Sequence, residues 1–175
     1  MKRSILLFAA LAASAMLARA QAPVTQPPEP VDPSPINGET YYLINQLSGL
    51  QADLNGSSKS NGGFVNQNTR SFSSLSQRWA VTKLQDGNWK ISNISSGLCL
   101  DSESNFYQSV VVQDVCGVNA PTQEWSFSYT TNGYNLIRNA GTKRVLDASS
   151  PDPGAKLMLS PSFETPKQSQ LWLLR

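Results

Sequence analysis

The chain has 175 residues, 39% of them hydrophobic and only 15% charged, enough for one domain with a real core. Its 11 Gly and 11 Pro stand among many Ser, Asn, Thr and Gln residues, a composition that favours a turn-rich β protein and argues against a helix bundle. The sequence contains no His, which removes the usual general base of serine and cysteine hydrolases and the commonest transition-metal ligand. No phosphate-cradling glycine loop and no Cys/His cluster of metal type is present either, so no metal and no cofactor is expected.

Lys2 and Arg3 precede an apolar run from Ile5 to Leu17, and Ala18-Arg19-Ala20 then supplies small residues of cleavage type. Residues 1–20 therefore read as a secretory signal peptide, and the expected location is secreted or periplasmic. The run is short for a membrane span. Removing Lys2, Arg3 and Arg19 turns 14 basic against 12 acidic residues into 11 against 12, a net charge of −1. A nearly neutral surface without a run of Lys and Arg argues against nucleic-acid or anionic-membrane binding.

From Gln21 to Pro35 the chain reads QAPVTQPPEPVDPSP, which is extended and exposed in expectation. Residues 21–37 form a Pro-rich linker or arm, and the folded part is expected at 38–175. It opens with the β-like run Thr40-Tyr41-Tyr42-Leu43-Ile44.

An internal repeat dominates those residues. Three Trp occur as Gln-x-Trp, in Gln77-Arg78-Trp79, Gln123-Glu124-Trp125 and Gln170-Leu171-Trp172, with the Trp 46 and 47 residues apart. Upstream, Asn45, Asn93 and Asn139 each lie eight residues before Asp53, Asp101 and Asp147, and the Asp lie 24, 22 and 23 residues before the motif Gln. One unit of about 46 residues thus occurs three times. Each unit contains several short strands separated by Gly, Asn, Ser and Pro, for instance Trp89-Lys90-Ile91, Leu98-Cys99-Leu100 and Val110-Val111-Val112. Four strands per unit give about twelve, suited to a closed all-β barrel. Placed on a strand, Gln and Trp two residues apart face one side, so Trp fills the centre while the Gln amide satisfies backbone groups beneath it.

The threefold Gln-x-Trp repeat, with Leu100-Asp101 and Val145-Leu146-Asp147, resembles the ricin-type lectin family over about residues 38–175. The resemblance implies a β-trefoil and shallow sugar sites, up to one per repeat. In such a site a carboxylate accepts hydrogen bonds from sugar hydroxyls while an aromatic ring stacks on the sugar. It maps the carboxylate onto Asp101 and Asp147, and more loosely onto Asp53. It also places Cys99 and Cys116 where the family carries a disulfide, here kept only in the middle repeat; two buried thiols are the alternative.

The sequence departs from the family pattern at the ring. Asn68, Asp114 and Ser160 stand where the aromatic platform is expected, and Ser76, Thr122 and Ser169 precede the motif Gln, where sugar-binding repeats often have Asn. Phe106 and Tyr107 in the middle repeat, Phe64 in the first and Phe163 in the third are the rings that remain. The middle repeat is the best candidate, with Asp101, Tyr107, Gln113 and Asp114 as its ligand set.

Three functions follow. The leading one is a non-enzymatic, secreted carbohydrate-binding module acting alone or with a protein partner. The second is a trefoil that serves as a protein-interaction or envelope component. The third, a small glycosidase using Asp101, Glu103 and Glu124, is disfavoured because a glycosidase needs two carboxyls across a deep cleft.

Overall fold

Short apolar runs alternate with Gly, Asn and Ser turns, and the chain folds accordingly into thirteen short strands among the described residues. The computed structural model describes residues 34–102, 110–130 and 132–175. The expected signal peptide and most of the linker lie outside them, as do Phe106 and Tyr107.

The first repeat carries β1 (Thr40–Tyr41), β2 (Leu43–Asn45), β3 (Gln51–Leu54), β4 (Gly63–Asn68) and β5 (Trp79–Lys83). The second carries β6 (Trp89–Asn93), β7 (Cys99–Ser102), β8 (Val111–Asp114) and β9 (Trp125–Tyr129). The third carries β10 (Asn135–Asn139), β11 (Val145–Ala148), β12 (Leu157–Ser160) and β13 (Leu171–Leu174). The count exceeds twelve because one barrel strand is interrupted at Tyr42. Between β1 and β2 its backbone bonds Arg175 in both directions, at 2.9 and 3.2 Å.

Antiparallel pairing runs β1–β5, β5–β6, β6–β9, β9–β10, β10–β13 and β13–β2, so the outer strands of the three repeats close on themselves. Closure removes exposed sheet edges. The hairpins β3–β4, β7–β8 and β11–β12 form a cap joined through Phe64↔Val112, Asn66↔Lys156 and Val110↔Met158. A barrel capped by three hairpins is a β-trefoil, as the family resemblance implies.

Trp79, Trp125 and Trp172 are fully buried. A ring of this size removes about 200 Å² from water, worth roughly 5 kcal/mol at about 25 cal/mol per Å². Leu43, Ile91 and Ile137, two residues before the repeated Asn, fill the core beside them. The motif Gln is not on a strand. It ends a 3-10 turn in each repeat (Leu75–Gln77, Pro121–Gln123, Gln168–Gln170), and the chain turns extended only after it.

Each repeated Asn ties one repeat to the next. The Nδ2 atoms of Asn45, Asn93 and Asn139 donate to the carbonyl oxygens of Ser169, Ser76 and Thr122 at 2.8, 2.8 and 2.7 Å. These acceptors are the residues immediately before the motif Gln of the preceding repeat. The turn four residues after the Asn needs a left-handed backbone, met by Gly49 (φ 69°) and Gly97 (φ 73°) but by Lys143 (φ 60°) in the third repeat.

Candidate functional site

Each repeat brings Asn, Asp, Gln and Trp together in one arrangement. The Trp79, Trp125 and Trp172 Nε1 atoms donate to the carbonyl oxygens of Ala52, Leu100 and Leu146, each at 3.0 Å. Those carbonyls belong to the residues immediately before Asp53, Asp101 and Asp147. The motif Gln then reaches the carboxylate itself. Gln77 donates to Asp53 Oδ2 at 3.0 Å, Gln123 to Asp101 Oδ2 at 2.8 Å and Gln170 to Asp147 Oδ2 at 3.3 Å.

Further bonds anchor each amide to the loop before it. Gln77 donates to Thr69 O and accepts from Ser71 N; Gln123 donates to Val115 O and accepts from Gly117 N. Gln170 donates to Pro161 O and accepts from Lys167 N. A buried carboxylate must be paired, and the motif Gln supplies one partner in every repeat.

The three carboxylates differ in what else they touch. Asp53 is filled by its own repeat: Ser76 Oγ donates to Oδ1 at 2.6 Å, and Asn68 Nδ2 joins Gln77 on Oδ2 at 3.1 Å. Asp147 Oδ2 accepts from Ser160 Oγ as well as from Gln170, and its Oδ1 is buried without a partner among the described residues. At Asp101, Oδ2 accepts from Gln123, whereas Oδ1 accepts from none of the described residues. Thr122, which stands where Ser76 does, makes no such side-chain bond among the described residues. An acceptor with unfilled lone pairs can take a ligand hydroxyl; a saturated one must first give up a partner.

Two of the positions expected to hold an aromatic platform have thus been turned inward. Asn68 and Ser160 bond the repeat's own Asp, and Asp114 accepts the following amide, Val115 N, at 2.6 Å. Strand pairing sets Asp101 opposite Val112 and Cys99 opposite Asp114, which puts Asp101 and Asp114 on one face of the β7–β8 hairpin.

Gln113 requires a correction. Its neighbour across the hairpin is Leu100, so it lies on the opposite face from Asp101 and is fully buried. Its amide donates to Ser58 O and Ser60 O at 2.9 and 3.1 Å and accepts from Ser96 Oγ at 2.6 Å. Gln67, 46 residues earlier, accepts from Ser48 Oγ and donates to Asp152 O in the same way. Both pin the cap hairpin of one repeat to a loop of another and are closed to a surface ligand. Strand alternation carried this signal, because adjacent Gln113 and Asp114 cannot face the same side.

Cys99 and Cys116 form a disulfide with Cα atoms 5.1 Å apart, joining the start of β7 to the loop after β8. Beyond it, Leu84, Lys90, Val118, Pro121 and Glu124 line an open groove of about 670 Å³. Asp101 is not in that lining; the side chain of Gln123, whose Oε1 is 3.5 Å from Lys90 Nζ, reaches towards both. Of the remaining rings, Phe64 lies 3.7 Å from Lys156 Nζ and Phe163, half exposed, lies 5.1 Å from Lys167 Nζ.

The family description "ricin-type beta-trefoil lectin domain" matches residues 39–172. The chain belongs to this family. A designed threefold-symmetric protein, ThreeFoil, superposes with a TM-score of 0.72 at 27% identity, over 77% of this chain and 96% of that one. The exo-β-1,3-galactanase 1,3Gal43A from Clostridium thermocellum gives a TM-score of 0.72 at 28% identity, over 81% of this chain but 30% of the galactanase. The Macrolepiota procera ricin B-like lectin, solved with lactose, shares the fold at 21% identity, with a TM-score of 0.67 over 80% of this chain and 96% of the lectin. No curated protein matches the sequence.

Proposed function

We propose that this ricin-type trefoil is a secreted, non-catalytic carbohydrate-binding module whose sugar site lies in the middle repeat, with Asp101 as the acceptor for paired hydroxyls. The observation that carries this reading is that Asp101 Oδ1 accepts from none of the described residues, whereas both oxygens of Asp53 are filled by its own repeat. Gln123 holds Oδ2 of the Asp101 carboxylate, and this reading assigns Oδ1, which has no partner among the described residues, to the ligand. Asp114, on the same face, adds a second acidic acceptor. Lectins among the structural relatives support the ligand class, and the disulfide, with the signal-like residues 1–20, supports export.

A single shallow site of this kind binds with a dissociation constant of roughly 0.1–10 mM, and tighter binding needs several sites on one polymer. The test is a glycan array probed with the exported protein, followed by calorimetry on Asp101→Asn with the glycan identified. Loss of about tenfold or more in affinity is expected, because a charge-assisted acceptor becomes an amide that can present a donor to hydroxyls. An array without a hit, or unchanged affinity in folded Asp101→Asn, rejects the assignment. The protein-interaction reading rests on a different feature: Phe72, Val118 and Phe163 are 70%, 91% and 52% exposed in the loops that lead to the three Gln-x-Trp motifs.

A further inference from the structure

The first repeat carries a group of side chains that the trefoil does not require. Arg70 Cζ lies 4.0 Å from the centre of the Phe72 ring and 5.5 Å from that of Tyr42. Arg78 Cζ approaches the same Tyr42 ring at 5.7 Å, while its Nε donates to the Tyr42 hydroxyl at 3.1 Å and its Nη2 to Phe72 O at 3.3 Å. Two guanidinium groups thus converge on one tyrosine. Among the described residues their contacts are rings, a phenol and a carbonyl, and none is a carboxylate. Phe72 is 70% exposed, so its ring borders solvent beside Arg70.

Internal symmetry provides the control. Asn, Asp, Gln and Trp recur in all three repeats because barrel closure uses them. Arg70 instead corresponds to Cys116 and Ser162, Arg78 to Glu124 and Leu171, and Tyr42 to Lys90 and Leu136. The fold is built equally well with those residues, so the basic and aromatic character of this place is not a demand of the trefoil.

We infer that Arg70, Arg78, Tyr42 and Phe72 form a second binding site, separate from Asp101, for an acidic sugar such as a uronate. A guanidinium is a planar fork matched to a carboxylate, and Arg78 is already oriented by two hydrogen bonds, which lowers the entropy lost on binding. The exposed Phe72 ring offers an apolar face for sugar C–H groups next to the charge. The ligand class follows from that pairing: the charge alone would suit any anion, whereas the charge beside a ring suits a sugar acid. The inference rests on the sugar-binding reading for ligand class only, and not on the Asp101 site.

The test titrates the isotopically labelled full protein with digalacturonate, with its neutral methyl ester and with inorganic sulfate, following amide shifts by NMR. Digalacturonate is expected to shift Arg70, Phe72 and Arg78, with the methyl ester about tenfold weaker and sulfate weaker still. Arg70→Gln, at an exposed position, keeps the fold and weakens digalacturonate by about five- to tenfold without moving the affinity for the neutral glycan found by the array. Equal binding of the methyl ester shows that the charge plays no part and overturns the proposal. Sulfate binding as strong as digalacturonate overturns the sugar assignment, and no shift, or full affinity in Arg70→Gln, overturns the site. Failure at Asp101 with success here, or the reverse, separates the two readings.

Discussion

Trp125 Nε1 donates to Leu100 O at 3.0 Å, so the indole at the centre of the middle repeat is bonded to the residue that precedes the candidate ligand Asp101. The same bond in the other two repeats makes one device of ring and carboxylate: the Trp holds the strand and the Gln, two residues earlier, holds the Asp. Trp125→Phe keeps most of the volume but leaves Leu100 O unpaired in the interior, with an expected cost of about 1–3 kcal/mol. Trp125→Ala adds a cavity and costs about 3–5 kcal/mol or more. Urea unfolding of both variants measures this, and a loss below about 0.5 kcal/mol in Trp125→Phe would contradict the role given to the bond.

Asp53 and Asp101 are expected to separate stability from binding. Asp53→Asn confronts the donors of Ser76, Gln77 and Asn68 with an amide that carries donors of its own, and destabilises by about 2–4 kcal/mol without lowering sugar affinity in the folded protein. Asp101→Asn can keep its oxygen towards Gln123 and costs less than about 1.5 kcal/mol, while affinity falls. Thermal unfolding and calorimetry on the same two samples decide the matter. The opposite ranking would show that Asp101 is the structural carboxylate.

The disulfide closes a short loop, with the two cysteines 17 positions apart. In the chain-entropy account such a bridge stabilises by roughly 3 kcal/mol, so the Cys99→Ala, Cys116→Ala double variant should unfold at correspondingly lower denaturant. Thiol titration of the denatured, unreduced protein should detect no free thiol.

Lys143 holds φ at 60° where the other repeats use Gly49 and Gly97. A side chain with a Cβ pays about 1–2 kcal/mol in that region, and glycine returns part of the gain through its freer unfolded chain. Lys143→Gly is therefore expected to stabilise by about 0.5–1 kcal/mol, seen as a rise in melting temperature of about 2–3 °C. A fall would mean that the lysine side chain makes a compensating contact.

The repeat, a closed barrel and the buried Trp triad were legible in the sequence because closing a threefold barrel demands the same residue at the same place three times, and the trefoil was legible through the family resemblance. Asn45, Asn93 and Asn139 and the three Gln-x-Trp motifs record that demand directly. The bridge between Cys99 and Cys116 was legible through the family resemblance. The tertiary structure decided how each carboxylate is partnered: Asn68 at the end of β4 and Ser76 in the 3-10 turn fill Asp53, and Ser160 at the end of β12 joins Gln170 on Asp147, because folding brings those elements beside the Asp strands. It also decided the fate of Gln113, which strand alternation turns away from Asp101 and into the protein. The sequence has no run of Lys and Arg, yet Arg70 and Arg78 converge on Tyr42, some thirty residues away along the chain, because β1 and β2 close the barrel beside the loop that bears the arginines. Periodicity reports what the backbone needs in every repeat, whereas side chains that meet across repeats or loops in only one of them become neighbours through folding alone.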